Sequence, residues 1–108
     1  MPDRAWKAFE RRVAQAVGGR RRGADTGGCD GGRSDVIAPG LSVECKLLRR
    51  PGFAGVVEAC RQAEAAAGDL ELPVAVVKRF GARDADALVA LRLEVFREWF
   101  VGGRHIEP

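Results

Sequence analysis

The sequence predicts a single α/β domain in which a mixed central β-sheet is flanked by helices. Two segments repeat apolar residues at helical spacing, and three short apolar runs bounded by turn residues are typical of strands. Helical and strand segments alternate along the chain, which is the pattern of a layered α/β fold. With 108 residues the chain has room for one domain, so residues 1–108 form one predicted unit.

Charge is distributed unevenly along the chain. The net charge is +3, yet residues 1–50 hold 11 Lys and Arg against 6 Asp and Glu. Arginine accounts for 15 of the 18 cationic residues, and its guanidinium suits bidentate phosphate contacts. A basic half on a small domain indicates a polyanionic partner, with nucleic acid as the first candidate. A surface that merely keeps the protein soluble is the alternative.

Several classes of protein are excluded. There is no apolar run approaching the ~20 residues of a membrane span, and the amino terminus lacks a signal-peptide core. We therefore expect no membrane association and a cytoplasmic location. Three cysteines without a CxxC pair argue against a disulfide framework and a zinc cluster. Cys45 and Cys60 are expected in the core.

The first predicted element is a helix over residues 3–17 with Asp3 as its N-cap. Trp6, Phe9 and Val13 recur at helical spacing, and two glycines follow the helix. Glu10 lies on or beside this apolar face, where a carboxylate needs a partner. From helix geometry alone, Glu10 either faces the core or reaches solvent at its edge.

Residues 18–33 are predicted as a basic, glycine-rich loop. Its arginines could bind phosphates while glycine lets the backbone approach a ligand closely. A solvated loop without a ligand is the alternative. The predicted phosphate contacts in this loop are Arg20, Arg21, Arg22 and Arg33.

A β-hairpin is predicted from strands 35–38 and 41–47 around the Pro39-Gly40 turn. Counting outward from the turn places Asp35 opposite Glu44, with Lys46 on the same face. Two opposed carboxylates repel, and a bound Mg²⁺ ion, with Mn²⁺ as a substitute, would relieve the repulsion. A bulge would shift this register, and a simple Glu–Lys surface pair is the alternative interpretation.

The remaining elements follow the hairpin. A second helix is predicted over residues 53–67, then a central strand over 72–78 buried on both faces. Residues 87–93 are predicted as a strand and residues 94–101 as a short helix. The tail, residues 102–108, is expected to be flexible. Aromatic residues expected mainly in the core are Trp6, Trp99 and Phe100, the last two also being candidates for a dimer face.

The order of these elements and motifs resembles the PD-(D/E)xK nuclease superfamily, and within it the small Holliday junction resolvases of archaea and phages. Asp35 matches the motif Asp, and Glu44-Cys45-Lys46 matches Glu-x-Lys. Glu10 matches the acidic residue of the first helix, and Gln62 matches a glutamine found on the helix after the motif strand in several branches. Ser34 stands where the name of the superfamily has Pro.

This resemblance implies a restriction-endonuclease-like core and Mg²⁺-dependent cleavage of DNA in a bacterial, archaeal or phage-infected cell. Asp35, Glu44, Glu10 and the Cys45 carbonyl would hold the metal, while Lys46 would assist the attacking water. The resemblance also puts Lys78 and Arg79 on the side of the arginine loop, where they could bind phosphates. Junction resolution needs two incisions, which implies a homodimer. A related nuclease acting on flaps, ends or nicks, or a DNA-binding module that does not cut, remains possible.

Overall fold

The predicted amino-terminal helix is present as α1, Pro2–Ala16, in the computed structural model of the chain. The structure describes residues 2–22, 35–50 and 52–102. Because α1 begins before Asp3, the predicted N-cap at that residue is wrong. Gly18 follows the helix with φ +75°, a left-handed conformation that glycine adopts readily.

The five strands form one sheet in the order β1-β2-β3-β4-β5. Only β3 and β4 pair in parallel, and the other neighbours are antiparallel. The predicted single α/β domain with a mixed sheet is therefore confirmed. The strands are β1 Arg20–Arg21, β2 Val36–Ala38, β3 Leu41–Leu48, β4 Leu72–Arg79 and β5 Leu88–Ala90.

Strand β1 corrects the prediction of a continuous loop over residues 18–33. Arg20 pairs with Ile37 and Arg21 with Val36. Gly19 permits this pairing because a Cβ atom there would lie 2.2 Å from the Ile37 carbonyl oxygen. The glycine thus brings the chain against β2 instead of leaving it in solvent. Residues 23–33 of the predicted loop lie outside the described residues.

The helix α2, Phe53–Ala66, connects β3 to β4 and allows them to run parallel. Its buried residues are small: Ala59, Cys60 and Ala63. The Ser42 hydroxyl of β3 donates to the Ala63 carbonyl at 3.0 Å and fixes the helix on the sheet. As predicted, β4 is central and buried on both faces.

The carboxyl-terminal part is less buried than predicted. The predicted strand over 87–93 is only the three residues of β5, and a 3-10 turn at Asp84–Asp86 precedes it. The short helix α3, Leu93–Phe96, continues as a π-helical turn, Arg97–Val101. Expected core aromatics Trp6, Trp99 and Phe100 are 42%, 42% and 61% exposed, so their assignment to the core is wrong.

Within the described residues, every helix is too short or too polar to cross a membrane. The hydrophobic core consists of two apolar layers, one on each face of the sheet. The layer under α1 contains Phe9, Val13 and Val43, and the layer under α2 contains Ala59 and Val77. The candidate site lies where β2 begins, beside the middle of β3.

Candidate active site

The β2–β3 hairpin has the predicted register around its turn. Ala38 pairs with Leu41, and Val36 pairs with Val43. Beyond that pair the Asp35 N–H donates to the Val43 carbonyl at 3.0 Å, so residues 35 and 36 both lie against Val43. Two residues facing one is the arrangement of a β-bulge. Asp35 is therefore outside the regular ladder, and the predicted direct opposition to Glu44 does not form.

The bulge nevertheless brings the two carboxyl groups together. Asp35 Oδ2 accepts a hydrogen bond from the Cys45 N–H at 2.9 Å, which draws the side chain across β3. The Asp35 carboxyl group therefore lies close enough to Glu44 to affect the pKa of Glu44.

Burial is the main cause that raises the pKa of Glu44 to about 8. The neighbouring Asp35 carboxyl group contributes to the rise through its hydrogen-bonding oxygens and its negative charge. The positive charge of Lys46 acts in the opposite direction. Lys46 is half-buried and follows Glu44 by two residues on β3, so both side chains lie on one face of the sheet. A carboxyl group and an ammonium group thus lie next to each other at this strand.

Glu10 faces the protein interior, which decides between the two orientations left open by helix geometry. It is 3% exposed, and its Oε1 accepts a hydrogen bond from Arg21 Nε at 2.7 Å. Burial raises the pKa of Glu10, the charge of Asp35 raises it further, and Arg21 opposes both effects. Glu10 also contributes to the raised pKa of Glu44. The three predicted acids therefore form one electrostatic cluster.

Cys45 lies beside these acids and is buried, as predicted for a core residue. Burial raises the pKa of its thiol, and the charges of Asp35, Glu10 and Glu44 raise it further. Burial likewise raises the pKa of Cys60. Both thiols are unreactive in this environment because the thiolate is the nucleophilic form.

The acidic cluster fits a hard divalent cation by its chemistry. Carboxylate oxygens are the ligands that Mg²⁺ prefers, and a cation at Asp35 and Glu44 would relieve the repulsion between their negative charges. Glu10 is different because its Oε1 is engaged by Arg21. In the described part of the chain no three Asp, Glu, His or Cys side chains stand ready as a metal-binding group. Of the predicted metal ligands, Asp35 and Glu44 are therefore the two whose carboxylate oxygens best suit a divalent cation.

Two predicted phosphate-binding residues have other partners. The Arg21 side chain forms the ion pair with Glu10. Lys78 is only 7% exposed, its Nζ donates to Asp84 Oδ1 at 2.8 Å, and it lies 5.0 Å from the centre of the Phe9 ring. The ammonium group of Lys78 is therefore engaged within the protein, and these contacts do not favour the predicted phosphate contact.

The other predicted residues have mixed positions. Arg20 and Arg79 are exposed, and the half-buried Arg22 donates its backbone N–H to the Asp35 carbonyl at 2.9 Å. Gln62 is exposed on α2 and takes no part in the hydrogen bonds described above for the acidic cluster. Arg33 lies outside the described residues.

Sequence reasoning missed the ion pairs that anchor α1. Arg12 of α1 and Lys78 of β4 both donate to Asp84, and these hydrogen bonds lower the pKa of Asp84. Arg12 and Asp84 are 72 residues apart, and Lys78 and Asp84 are 6 residues apart across a turn, so no regular spacing predicts either pair. A buried Glu10 requires a positively charged side chain as its partner. The run of arginines after α1 was the sequence signal that could have indicated Arg21.

Comparison with known proteins found no similar one: this chain matches no protein-family model, no curated protein and no solved structure. Function is therefore inferred from the motif residues and their geometry. The acids come from three separate parts of the chain, α1, the residue before β2, and β3, and they lie within electrostatic range of one another.

Proposed function

We propose that this chain is a divalent-cation-dependent endodeoxyribonuclease of the PD-(D/E)xK type, with a restriction-endonuclease-like core. One observation carries the proposal: the hydrogen bond from the Cys45 N–H holds the Asp35 carboxylate against the segment of β3 that contains Glu44 and Lys46, with Glu10 within electrostatic range. Buried, mutually repelling carboxylates destabilise a fold unless something neutralises them. A cation and a phosphodiester substrate supply a reason for the cluster.

Each site residue has a distinct role in this proposal. Asp35 and Glu44 hold Mg²⁺ or Mn²⁺, with the Cys45 carbonyl as a further ligand. Glu10 adds negative charge at the site and stays oriented by Arg21. A bound Mg²⁺ ion lowers the pKa of a water ligand and neutralises charge that develops on a phosphoryl group.

Lys46 is the residue that acts on the attacking water. Its ammonium group lies on the same face of β3 as Glu44, where it can orient the water and stabilise negative charge on the phosphoryl oxygens. Arg20, Arg22 and Arg79 hold backbone phosphates around the site. Such contacts are independent of base sequence, so DNA shape determines which substrate binds.

Branched DNA, such as a four-way junction, is the proposed substrate, and a second copy of the chain would make the second incision. Exposed apolar side chains support self-association, since Leu88, Phe100 and Val101 are each more than 60% exposed. The cell compartment would be the cytoplasm of a bacterial, archaeal or phage-infected cell. Cleavage of flaps, ends or nicks would need only one copy, so the oligomeric state separates these substrates.

The decisive experiment compares cleavage of a four-way junction, a flap and a linear duplex in Mg²⁺, in Mn²⁺ and in EDTA. We expect the wild-type protein to cut the junction symmetrically, and only when a divalent cation is present. Asp35→Asn and Lys46→Met should each lower the cleavage rate by about 100-fold or more, because each removes a group that acts in the chemical step. Asparagine keeps an oxygen that can accept the Cys45 N–H.

Asp69→Asn is the matched control, because Asp69 is an exposed acid in the turn before β4. It should leave the cleavage rate unchanged. A wild-type protein that binds these DNAs but cuts none of them in either cation would exclude the nuclease and favour a DNA-binding module. Cuts on flaps or duplex without junction cleavage would keep the nuclease and exclude the resolvase.

A further inference from the structure

A cationic surface lies where β3 and β4 end. The two strands are parallel and their last residues, Leu48 and Arg79, are paired, so both strands end at one edge of the sheet. The Phe80 N–H donates to the Leu48 carbonyl at 2.7 Å and holds the following residues beside each other. Arg49 and Arg50 therefore emerge next to Arg79 and Phe80. We call the residues Arg49, Arg50, Phe53, Arg79 and Phe80 the strand-end surface.

The arginines of this surface lack anionic partners. Arg49, Arg50 and Arg79 are exposed, and across residues 2–22, 35–50 and 52–102 no carboxylate forms an ion pair with any of them. By contrast, the exposed Arg83 and Arg92 pair with Asp86 and Glu64. Three neighbouring cations without counter-charges favour an anionic ligand.

Aromatic rings lie among these cations. The Arg49 guanidinium lies over the Phe80 ring, 4.4 Å from its centre, and Phe80 is 41% exposed. Phe53, the first residue of α2, is 83% exposed. The first turn of α2 lies at the same end of the sheet, since a Cβ atom at Gly55 would be 3.5 Å from Leu48 Cδ1. Phe53 has no role in the core that would explain its presence.

We propose that the strand-end surface binds an unpaired DNA strand. Proteins that bind single strands combine cations that follow the phosphates with aromatic side chains on which bases stack. A duplex hides the faces of its bases, so exposed phenylalanines among arginines suit unpaired nucleotides better. Lys46 lies two residues before the end of β3, so the bound strand would continue directly from the cleavage site. The inference deepens the proposed function and rests on it for the choice of DNA.

A protein ligand is the competing possibility. Phe53 also lines a groove of about 680 Å³ between α2 and residues 90–94, with Val56, Val57 and Leu93 among its other walls. Arg49 and Arg79 are absent from the lining of that groove, whereas Arg49 stacks on Phe80. The arginines favour the polyanion, and the experiment below separates the two ligands.

The test measures binding without cleavage. Fluorescence anisotropy in EDTA compares a labelled single-stranded oligonucleotide with the duplex of the same sequence. We expect Phe53→Ser to weaken single-strand binding by about tenfold and to change duplex binding little, because a base loses its stacking partner. Arg49→Gln and Arg79→Gln should each lower the salt dependence of single-strand binding by about 0.7 in the logarithmic slope.

Two control variants match the changes in size and charge. Leu70→Ser removes an 85% exposed apolar side chain at the opposite end of β4, and Arg61→Gln removes one exposed charge from the middle of α2. Both should bind the single strand like the wild-type protein. Circular dichroism and the melting temperature of Phe53→Ser should be unchanged, which excludes misfolding as the cause of weaker binding.

Three results would overturn the proposal. The first is a wild-type protein that does not bind the single strand. The second is a Phe53→Ser variant that binds the single strand like the wild type. The third is a Phe53→Ser variant that loses single-strand and duplex affinity equally. If Phe53→Ser alters sedimentation but not DNA affinity, the residue belongs to a protein contact. The binding measurements contain no divalent cation, so they can be interpreted even if the protein cuts no DNA. If the protein cuts DNA but Phe53→Ser binds the single strand like the wild type, only the strand-end inference is overturned.

Discussion

The two faces of the sheet are packed in different ways. Under α1 the sheet meets large side chains, including the fully buried Phe9 and Val43. Under α2 it meets small ones, with Ala59, Ala63 and Ala75 completely buried. The α1 face also contains the buried charged groups Glu10 and Lys78, whereas the polar contact under α2 is a single hydroxyl, that of Ser42.

This difference indicates a division of roles between the helices. Small residues let α2 approach the sheet closely, so it serves as a fixed connection between the two parallel strands. Helix α1 must place a carboxylate inside the protein, and each buried charge on its face requires an ionic partner. Glu10 has Arg21 and Lys78 has Asp84. The buried ion pairs therefore depend more on the position of α1 than on that of α2.

The largest effect is expected from Phe9→Ala on the α1 face. Removing a fully buried phenyl ring leaves a cavity, and the free energy of unfolding should fall by about 3–5 kcal/mol. Urea denaturation followed by circular dichroism measures the loss. Trp6→Ala on the same helix is the control, and its loss should be clearly smaller because Trp6 is 42% exposed. Equal losses for the two variants would contradict the packing described for α1.

A smaller effect is expected from the opposite kind of change on the α2 face. Ala63→Leu adds volume where the helix already touches the sheet, so we expect the free energy of unfolding to fall by about 1–3 kcal/mol. Ala65→Leu, at an exposed position of the same helix, should change it by less than about 0.5 kcal/mol. If Ala63→Leu were as stable as the wild type, the close approach of α2 would be disproved.

The smallest effect concerns the charge pairs of the α1 face. Hydrogen bonds from Lys78 and Arg12 lower the pKa of Asp84 below its value in the unfolded chain, about 3.9. Their contribution to stability is complete above that pH and is lost as the pH falls through the lower folded value. Asp84 is 44% exposed, so the contribution should not exceed about 1 kcal/mol.

Urea denaturation across a series of acidic pH values tests this contribution. The wild-type protein should lose stability toward low pH more steeply than Asp84→Asn, whose side chain does not titrate. Asp69→Asn, which alters an exposed acid, should keep the wild-type pH profile. Parallel profiles for the wild type and Asp84→Asn would show that the Lys78–Asp84–Arg12 contacts do not stabilise α1.

The fold was predictable where the relevant contacts are local or periodic. Helix α1, the hairpin around Pro39-Gly40 and the buried strand β4 each follow from patterns within a few residues. Strand β1 was not predictable, because two arginines form a strand only through distant pairing with β2. The exposure of Trp99 was also not predictable, because it depends on which other elements pack over this residue.

Within the site, the predicted register holds at Val36 and Val43 but not at Asp35, which does not stand opposite Glu44. The sequence allowed a bulge but could not place it, because it depends on a backbone hydrogen bond to Val43. Lys78 illustrates the opposite failure: the end of an apolar strand looked accessible, yet Asp84 and Phe9 enclose its ammonium group. Contacts that form only in the folded chain, such as that of Arg12 with Asp84, are the information that a single sequence lacks.

The lengths of the strands also bear on aggregation. The edge strands β1 and β5 have two and three residues, whereas the interior strands β3 and β4 have eight each. A long exposed edge offers a row of unpaired backbone groups on which another chain can grow a strand. The edge strands themselves are too short for that, so fibril growth along β1 or β5 is disfavoured at high concentration.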